Sequence, residues 1–283
     1  MPALRLVLVL AVMTSMLSGA PSRASAAPTA TTDASRCHLI APADATPVGT
    51  GTCPGVRPGA LVRTSKGSCT FNFVFRGTRR LPSGRILRET YIGTAGHCIL
   101  GDSATDSEVG ERRWRRGEGP VAADSRGRVI GEFAYAILDS PKDFALIRVR
   151  PGTYVNPQMC HFGGPTSIDG GTHPREVVPL HFFGQGAAFG KVVPARTLVA
   201  YGLHDPAEVT ATGTAIVGDS GSGVIGPRGG AVGVLVAVGI GFGGIGTHYA
   251  DTGNVFITRI GPQLARAERV LGADLRLVTA PLE

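Results

Sequence analysis

"YIGTAGHCIL", Tyr91 to Leu100, sets a histidine beside a cysteine directly behind an apolar run. The run reads as the end of a strand, so His97 stands where that strand gives way to a turn. A second stretch, "SPKDFALIRV", Ser140 to Val149, opens with Asp143 at the mouth of another apolar strand, where water can be excluded. A third, "VGDSGSGV", Val217 to Val224, holds Ser220 in a glycine-flanked turn one step after Asp219. Taken singly, each is an ordinary turn or strand start. Together they supply a chemistry. A serine hydroxyl is a poor nucleophile at neutral pH and needs a neighbouring base, usually histidine, to take its proton. That histidine must in turn be held in one tautomer by an acceptor, usually a buried carboxylate.

The rest of the chain bounds what such a trio can belong to. Its 283 residues suffice for one large domain or two small ones with real cores. With 43% hydrophobic and 17% charged residues, wholesale disorder is excluded. Many Gly and Pro among short Val/Ile/Phe runs favour an all-β chain. Residues 1–26 read as an export signal: Arg5, an apolar stretch from Leu6 to Leu17, and "ASA" at Ala24 to Ala26 as a small-residue cleavage site. The apolar run "AVGVLVAVGIGFGGIG", Ala231 to Gly246, has 16 residues and dissolves into glycines, too short to span a bilayer. The expectation is a soluble, secreted, extracellular protein with no stable membrane association once the signal is removed. Export makes Cys37, Cys53, Cys69, Cys98 and Cys160 candidates for disulfides, and the odd number leaves at least one unpaired within the chain. The net charge of +7 bears on solubility and weak attraction to anionic surfaces, not on fold.

Residues 27–55 read as an irregular N-terminal extension rich in Ala, Thr, Pro and Gly. Strand-like runs follow: "ALVRT", "CTFNFVF", "RETYIGTA", "DFALIRVR", "REVVPLHFF", "GKVVPA", "TLVAYGL", "GGAVGVLVAV" and "NVFITRI". "CTFNFVF" alternates Cys, Phe, Phe, Phe with Thr, Asn, Val, as a half-buried strand should. "GPQLARAERVLG" alone has a helical stripe, with Leu264, Ala267 and Leu271 on one side and Gly272 as the stop.

"TAGHC", "DFALIRV" and "GDSGSG", in the order His, Asp, Ser, resemble the motif set of chymotrypsin-like serine proteases. Chain order separates this family from other enzymes with the same trio. The spacings, 46 residues from His97 to Asp143 and 77 from there to Ser220, are similar to the family's. The secreted bacterial streptogrisin branch is the nearest likeness, since "GSCTFNF" and the C-terminal helix also fit it. The resemblance covers roughly Leu61 to Val278. It implies two antiparallel six-stranded β-barrels with a C-terminal α-helix: residues 56–157 as an N-terminal barrel carrying His97 and Asp143, and 158–283 as a C-terminal barrel carrying Ser220. It also implies a serine endopeptidase that hydrolyses peptide bonds through an acyl-enzyme, monomeric, acting on protein or peptide substrates, with no cofactor and no metal. Ser220 is implied as nucleophile, His97 as base and Asp143 as its orienting acceptor, so activity should rise with pH as His97 loses its proton. The backbone N–H groups of Gly218 and Ser220 are implied as the oxyanion hole, Thr214, Gly239 and Asn254 as the substrate pocket, and Cys69–Cys98 as a disulfide. Cys37, Cys53 and Cys160 then leave either a local Cys37–Cys53 bond or a bond reaching Cys160.

Departures from the pattern matter as well. Ser222 and Gly223 replace the family's Gly-Pro pair. Ala237, Val238 and Gly239 stand where the family has Ser-aromatic-Gly, so the hydroxyl that supports the buried Asp is missing. No Ile-Val-Gly-Gly start is visible to pair with Asp219, and an arginine is the alternative partner. Thr214 at the pocket base is uncharged, which disfavours Arg or Lys before the cut and favours apolar or aromatic residues; Asp251 would reverse this if it folded into the pocket. The competing reading is a secreted binding protein on a catalytically decayed protease fold.

Other motifs fall away on inspection. "GFGGIG", Gly241 to Gly246, fits a dinucleotide fingerprint but is followed by β-branched, turn-rich sequence instead of a helix. G-x-S-x-G fails because the residue two beyond Ser220 is Ser222. "RRWRR", Arg112 to Arg116, reads as a solvated loop between two strands, with no nucleic-acid partner expected. The six histidines other than His97 have no metal-ligand spacing.

Overall fold

The computed structural model describes residues 53–101, 110–168, 177–187, 192–238 and 253–283. The expected signal peptide, most of the N-terminal extension, Cys37, Gly239, Asp251 and the "GFGGIG" stretch lie outside these residues.

The described residues are mostly β-strand, with a single-turn helix and one longer C-terminal helix. The first sheet takes β1 (Leu61–Thr64), β2 (Gly67–Thr70), β3 (Val74–Arg80), β4 (Ile86–Thr94), β5 (Gly110–Arg113), β6 (Val121–Ala123), β7 (Val129–Asp139) and β8 (Lys142–Val149). Its order runs β3–β4–β8–β7–β6–β1–β2, with β5 on β7. Main-chain bonds outside the regular ladders close it: Asn72 N–H donates to Gly93 O (2.8 Å) and Gly93 N–H to Phe73 O (3.0 Å). With β2 and β3 acting as one bent strand, this is a six-stranded barrel. The second sheet takes β9 (Ser167–Ile168), β10 (Val178–Phe183), β11 (Ala195–Asp205), β12 (Glu208–Thr212), β13 (Gly223–Ile225), β14 (Gly230–Val238) and β15 (Asn254–Arg259). Its order β13–β10–β11–β12–β15–β14 returns on itself through β13–β14 pairing, a closed antiparallel barrel of six, with β9 added in parallel.

Burial follows the strand runs. Phe71, Phe73, Phe75, Phe133, Tyr135 and Phe144 fill the first barrel, and Leu180, Phe182, Leu198, Val224 and Ile257 the second. Helix α1 (His97–Leu100) is a single turn after β4, and α2 (Ile260–Leu271) buries Leu264, Ala267 and Leu271. Gly272 ends α2 in the left-handed conformation, φ 62°, with its N–H on Glu268 O, as expected of a glycine stop. The last strand, β16 (Asp274–Leu277), then crosses back to pair with β3 of the first sheet.

Three strand readings need correction. "CTFNFVF" is not one half-buried strand: it breaks between β2 and β3, and all seven residues from Cys69 to Phe75 are buried. Its second face is covered by the turn that carries Ser220 and by Gly93, which leaves no solvent side for the alternation to mark. Within "GKVVPA", residues 192–194 are outside any strand, with Val192 and Val193 exposed, and Pro194 directly precedes β11. The longest strand of the first sheet, β7, was not among the predicted runs. It is buried on both faces, so the period-2 signal is absent.

Buried His181 and half-buried His161 should make stability pH-dependent. His181, on β10, has its Nδ1 2.9 Å from Thr197 Oγ1, and burial lowers its pKa; burial also lowers that of His161, partly opposed by the Glu283 charge. The unfolded chain takes up these protons at the ordinary value near 6.5, while the folded chain resists them. The stabilisation is therefore complete above about pH 6.5 and is lost as pH falls toward the lowered folded values. The urea midpoint should be lower at pH 5.5 than at pH 7.5, with a smaller difference in His181→Gln. Equal midpoints would show that the rings are not held neutral.

Candidate active site

His97 opens α1 at the end of β4, and Asp143 is the second residue of β8. Because β4 and β8 are paired neighbours (Thr94 opposite Ala145), the two side chains emerge at the same end of the first barrel. His97 Nδ1 lies 2.7 Å from one Asp143 carboxylate oxygen, and the His97 main-chain N–H donates to the other at 2.9 Å. This two-point attachment fixes both the ring and the turn beneath it. The aspartate side chain is 11% exposed and the histidine 22%, so the carboxylate is shielded while the ring reaches solvent. Gly96 has to be glycine: a Cβ there would overlap Ile137 O and sit 3.1 Å from Asp143 Oδ1. From the second barrel, the Thr258 hydroxyl donates to Pro141 O, two residues before Asp143.

Ser220 lies in the turn between β12 and β13. Two consecutive residues of β2 tie it to the histidine. Cys69 is bonded to Cys98, the residue after His97 (S–S 2.08 Å), and Thr70 N–H donates to Ser220 O at 2.8 Å. Thr70, fully buried, does more: its hydroxyl donates to Gly218 O (2.9 Å) and accepts from Gln185 N–H (3.0 Å), while its carbonyl accepts from Thr94 Oγ1 (2.9 Å). A dipeptide of one barrel thus holds both the turn of the other barrel and the segment leading to His97. Among the described residues, neither the Gly218 nor the Ser220 N–H has a main-chain acceptor. Gly218 has φ 103°, a conformation a side chain rarely tolerates.

The carboxylate of Asp219 points inward and is fully buried. Arg196, on β11, forms a fork on it, with Nη1 2.6 Å from Oδ2 and Nη2 on Oδ1, while the guanidinium lies 4.6 Å from the Phe182 ring centre. The N–H groups of Gly186 and Ile216 complete the shell at 2.8 Å each. The arginine partner left unnamed by the sequence is Arg196. Twenty-three residues separate it from Asp219, and no local pattern marks it.

The pocket residues are only partly placed. Thr214 is exposed, two residues beyond the Thr212–Asn254 pair that joins β12 to β15, so Thr214 and Asn254 share one end of the second barrel. Gly239 lies outside the described residues. Cys53 pairs with Cys160, the long-range alternative to a Cys37–Cys53 bond. His97 also lies against the sulfurs of Cys69 and Cys98, but these share a disulfide and present no thiolate to a metal.

No protein-family model and no curated protein matches the chain. Among solved structures it is similar to a glutamic-acid-specific serine protease that uses a histidine triad in substrate binding, at 17% identity and TM-score 0.42, covering 80% of this chain and all of that one. It is similar as well to a serine endoprotease from Yersinia pestis, at 15% identity and TM-score 0.40, covering 74% of this chain and 64% of that one. Among the described residues no helix is long and apolar enough to cross a membrane.

The Cys69–Cys98 bond closes a loop of 29 residues. Replacing both cysteines with alanine should cost roughly 3 to 4 kcal/mol in the chain-entropy description. Urea unfolding measures this, and a loss below 1 kcal/mol would mean that the loop is already confined by the β1–β2 and β4–β8 ladders.

Proposed function

We propose that this chain is a secreted serine endopeptidase with a His97–Asp143–Ser220 triad. The observation that carries the reading is the His97–Asp143 pair, attached at two points, beside a turn that holds Ser220 through Thr70. Ser220 Oγ attacks the substrate carbonyl, His97 takes the proton through Nε2 and returns it to the leaving amine, and Asp143 keeps the Nδ1–H tautomer and stabilises the imidazolium. The N–H groups of Gly218 and Ser220 receive the oxyanion; one such donor is worth about 3 kcal/mol of barrier. Water then hydrolyses the acyl-enzyme. The first 26 residues act as a cleaved export signal, and the enzyme works outside the cell as a monomer on proteins or peptides. A fluorophosphonate probe should label Ser220 and no other serine. Absence of labelling in the folded protein would favour the decayed, binding-only alternative.

Thr214, with Gly239 and Asn254, forms the pocket for the side chain before the cut. An uncharged base gives a cationic side chain no partner to offset desolvation, so cleavage should follow apolar or aromatic residues. A peptide-library profile dominated by Arg or Lys would overturn this and assign Asp251 to the pocket.

A further inference from the structure

The "RRWRR" segment is not a free loop. Arg112 and Arg113 belong to β5, and Trp114 packs edge-on against Phe133 at 6.4 Å between ring centres. Together with β3, β4, the end of β8 and the end of α2, this segment walls a cavity of about 270 Å³. Five of the lining side chains are arginines, Arg79, Arg113, Arg115, Arg116 and Arg148, against a single carboxylate, Glu89.

The carboxylate is already committed. Tyr91 Oη donates to Glu89 at 2.6 Å, Arg116 Nη2 at 2.7 Å, and Arg148 Nε lies 3.0 Å away. Arg148 also binds Glu132 at 2.8 Å. Burial alone would raise the Glu89 pKa, but the bonds from Tyr91 and Arg116 and the Arg148 charge outweigh it and the pKa is lowered; the same burial and contact push the Tyr91 phenol up to about 12. That leaves Arg79, Arg113 and Arg115, none of which has a carboxylate partner among the described residues. The Nε–H of Arg79 is buried with no acceptor among the described residues. The buried, unsatisfied Arg79 Nε–H, beside the exposed Arg113 and Arg115 guanidiniums, gives the concavity a donor and an excess positive charge that an anion would complement.

We infer that this cavity, walled by β3, β4, β5, β8 and the end of α2, is a binding site for a multivalent oxyanion of the phosphate or sulfate-ester kind. Three free guanidiniums match a group carrying two or more negative charges; one carboxylate would leave most of the excess in place. Guanidinium forks bind phosphate and sulfate oxygens in pairs, which lysines in the same places would not. The site is separate from the triad. Arg148 and Asp143 lie five residues apart on β8, about 16 Å along the strand.

Inorganic pyrophosphate and a heparin-derived sulfated disaccharide, each titrated at constant ionic strength, are the two probes. At least one should bind saturably by calorimetry and raise the unfolding midpoint, whereas sodium chloride at equal ionic strength should do neither. Pyrophosphate binding alone would identify free phosphates as the ligand source, and disaccharide binding alone sulfated glycans. Arg113 and Arg115 are exposed, so R113Q/R115Q should fold normally; its affinity should fall at least tenfold, as should that of R79Q, since one charge-assisted bond is worth about that factor. Binding of neither probe, or unchanged affinity in R113Q/R115Q, would overturn the assignment. The readout is binding, so failure of the protease reading leaves it untouched.

Discussion

Replacing Ser220 with alanine is expected to lower peptide hydrolysis by about a million-fold, with His97→Ala equally severe and the double variant little worse. In the proposed mechanism the two side chains act as one unit: without the base the hydroxyl keeps its proton, and without the hydroxyl the base has nothing to deprotonate. Asp143→Asn should cost about ten-thousand-fold, since an amide at 2.7 Å from Nδ1 can present its N–H and hold the ring in the wrong tautomer. What survives should come from Gly218, Ser220 N–H and substrate binding. Initial rates on a peptide substrate, with circular dichroism to confirm folding, measure these effects. Retention of most activity in Ser220→Ala would remove the triad assignment.

The second large effect concerns the floor of the turn that carries Ser220. Arg196→Met is expected to destabilise the protein by about 3 to 5 kcal/mol, because it strands a fully buried carboxylate. It should also lower kcat more than it raises KM, since the Asp219 carboxylate holds the Ile216 and Gly186 N–H groups that shape the turn around Gly218. Adding Asp219→Asn should restore much of the stability, as the uncompensated charge is gone, while activity stays low. Urea midpoints and steady-state kinetics separate the two outcomes. A loss under 1 kcal/mol for Arg196→Met would mean that water reaches Asp219 and the pair is not sealed.

The sequence marked the fold class and the candidate His97–Asp143 pair, but not the residues that hold them in place. His97 and Asp143 sit at strand ends and Ser220 in a glycine-flanked turn, where local residue type and spacing carry the signal. Thr70 and Arg196 could not be found that way. Thr70 is the last residue of the short strand β2, and its role arises from contacts with Gly218, Ser220 and Gln185, more than a hundred residues away. Arg196 is a lone arginine in a β-branched run, identified only when β11 brings it under Asp219.

By itself the sequence determined the all-β class, the terminal helix with its Gly272 stop, and the three residues in the order His, Asp, Ser. These follow from period, turn chemistry and spacing, which are properties of neighbours along the chain. The tertiary structure alone decided the break in "CTFNFVF", the return of β16 to the first sheet, the Cys53–Cys160 pairing, the Arg196–Asp219 fork and the arginine-walled cavity. Each joins segments distant in sequence, and the energy of such a contact depends on burial and mutual orientation, which exist only once both barrels have closed.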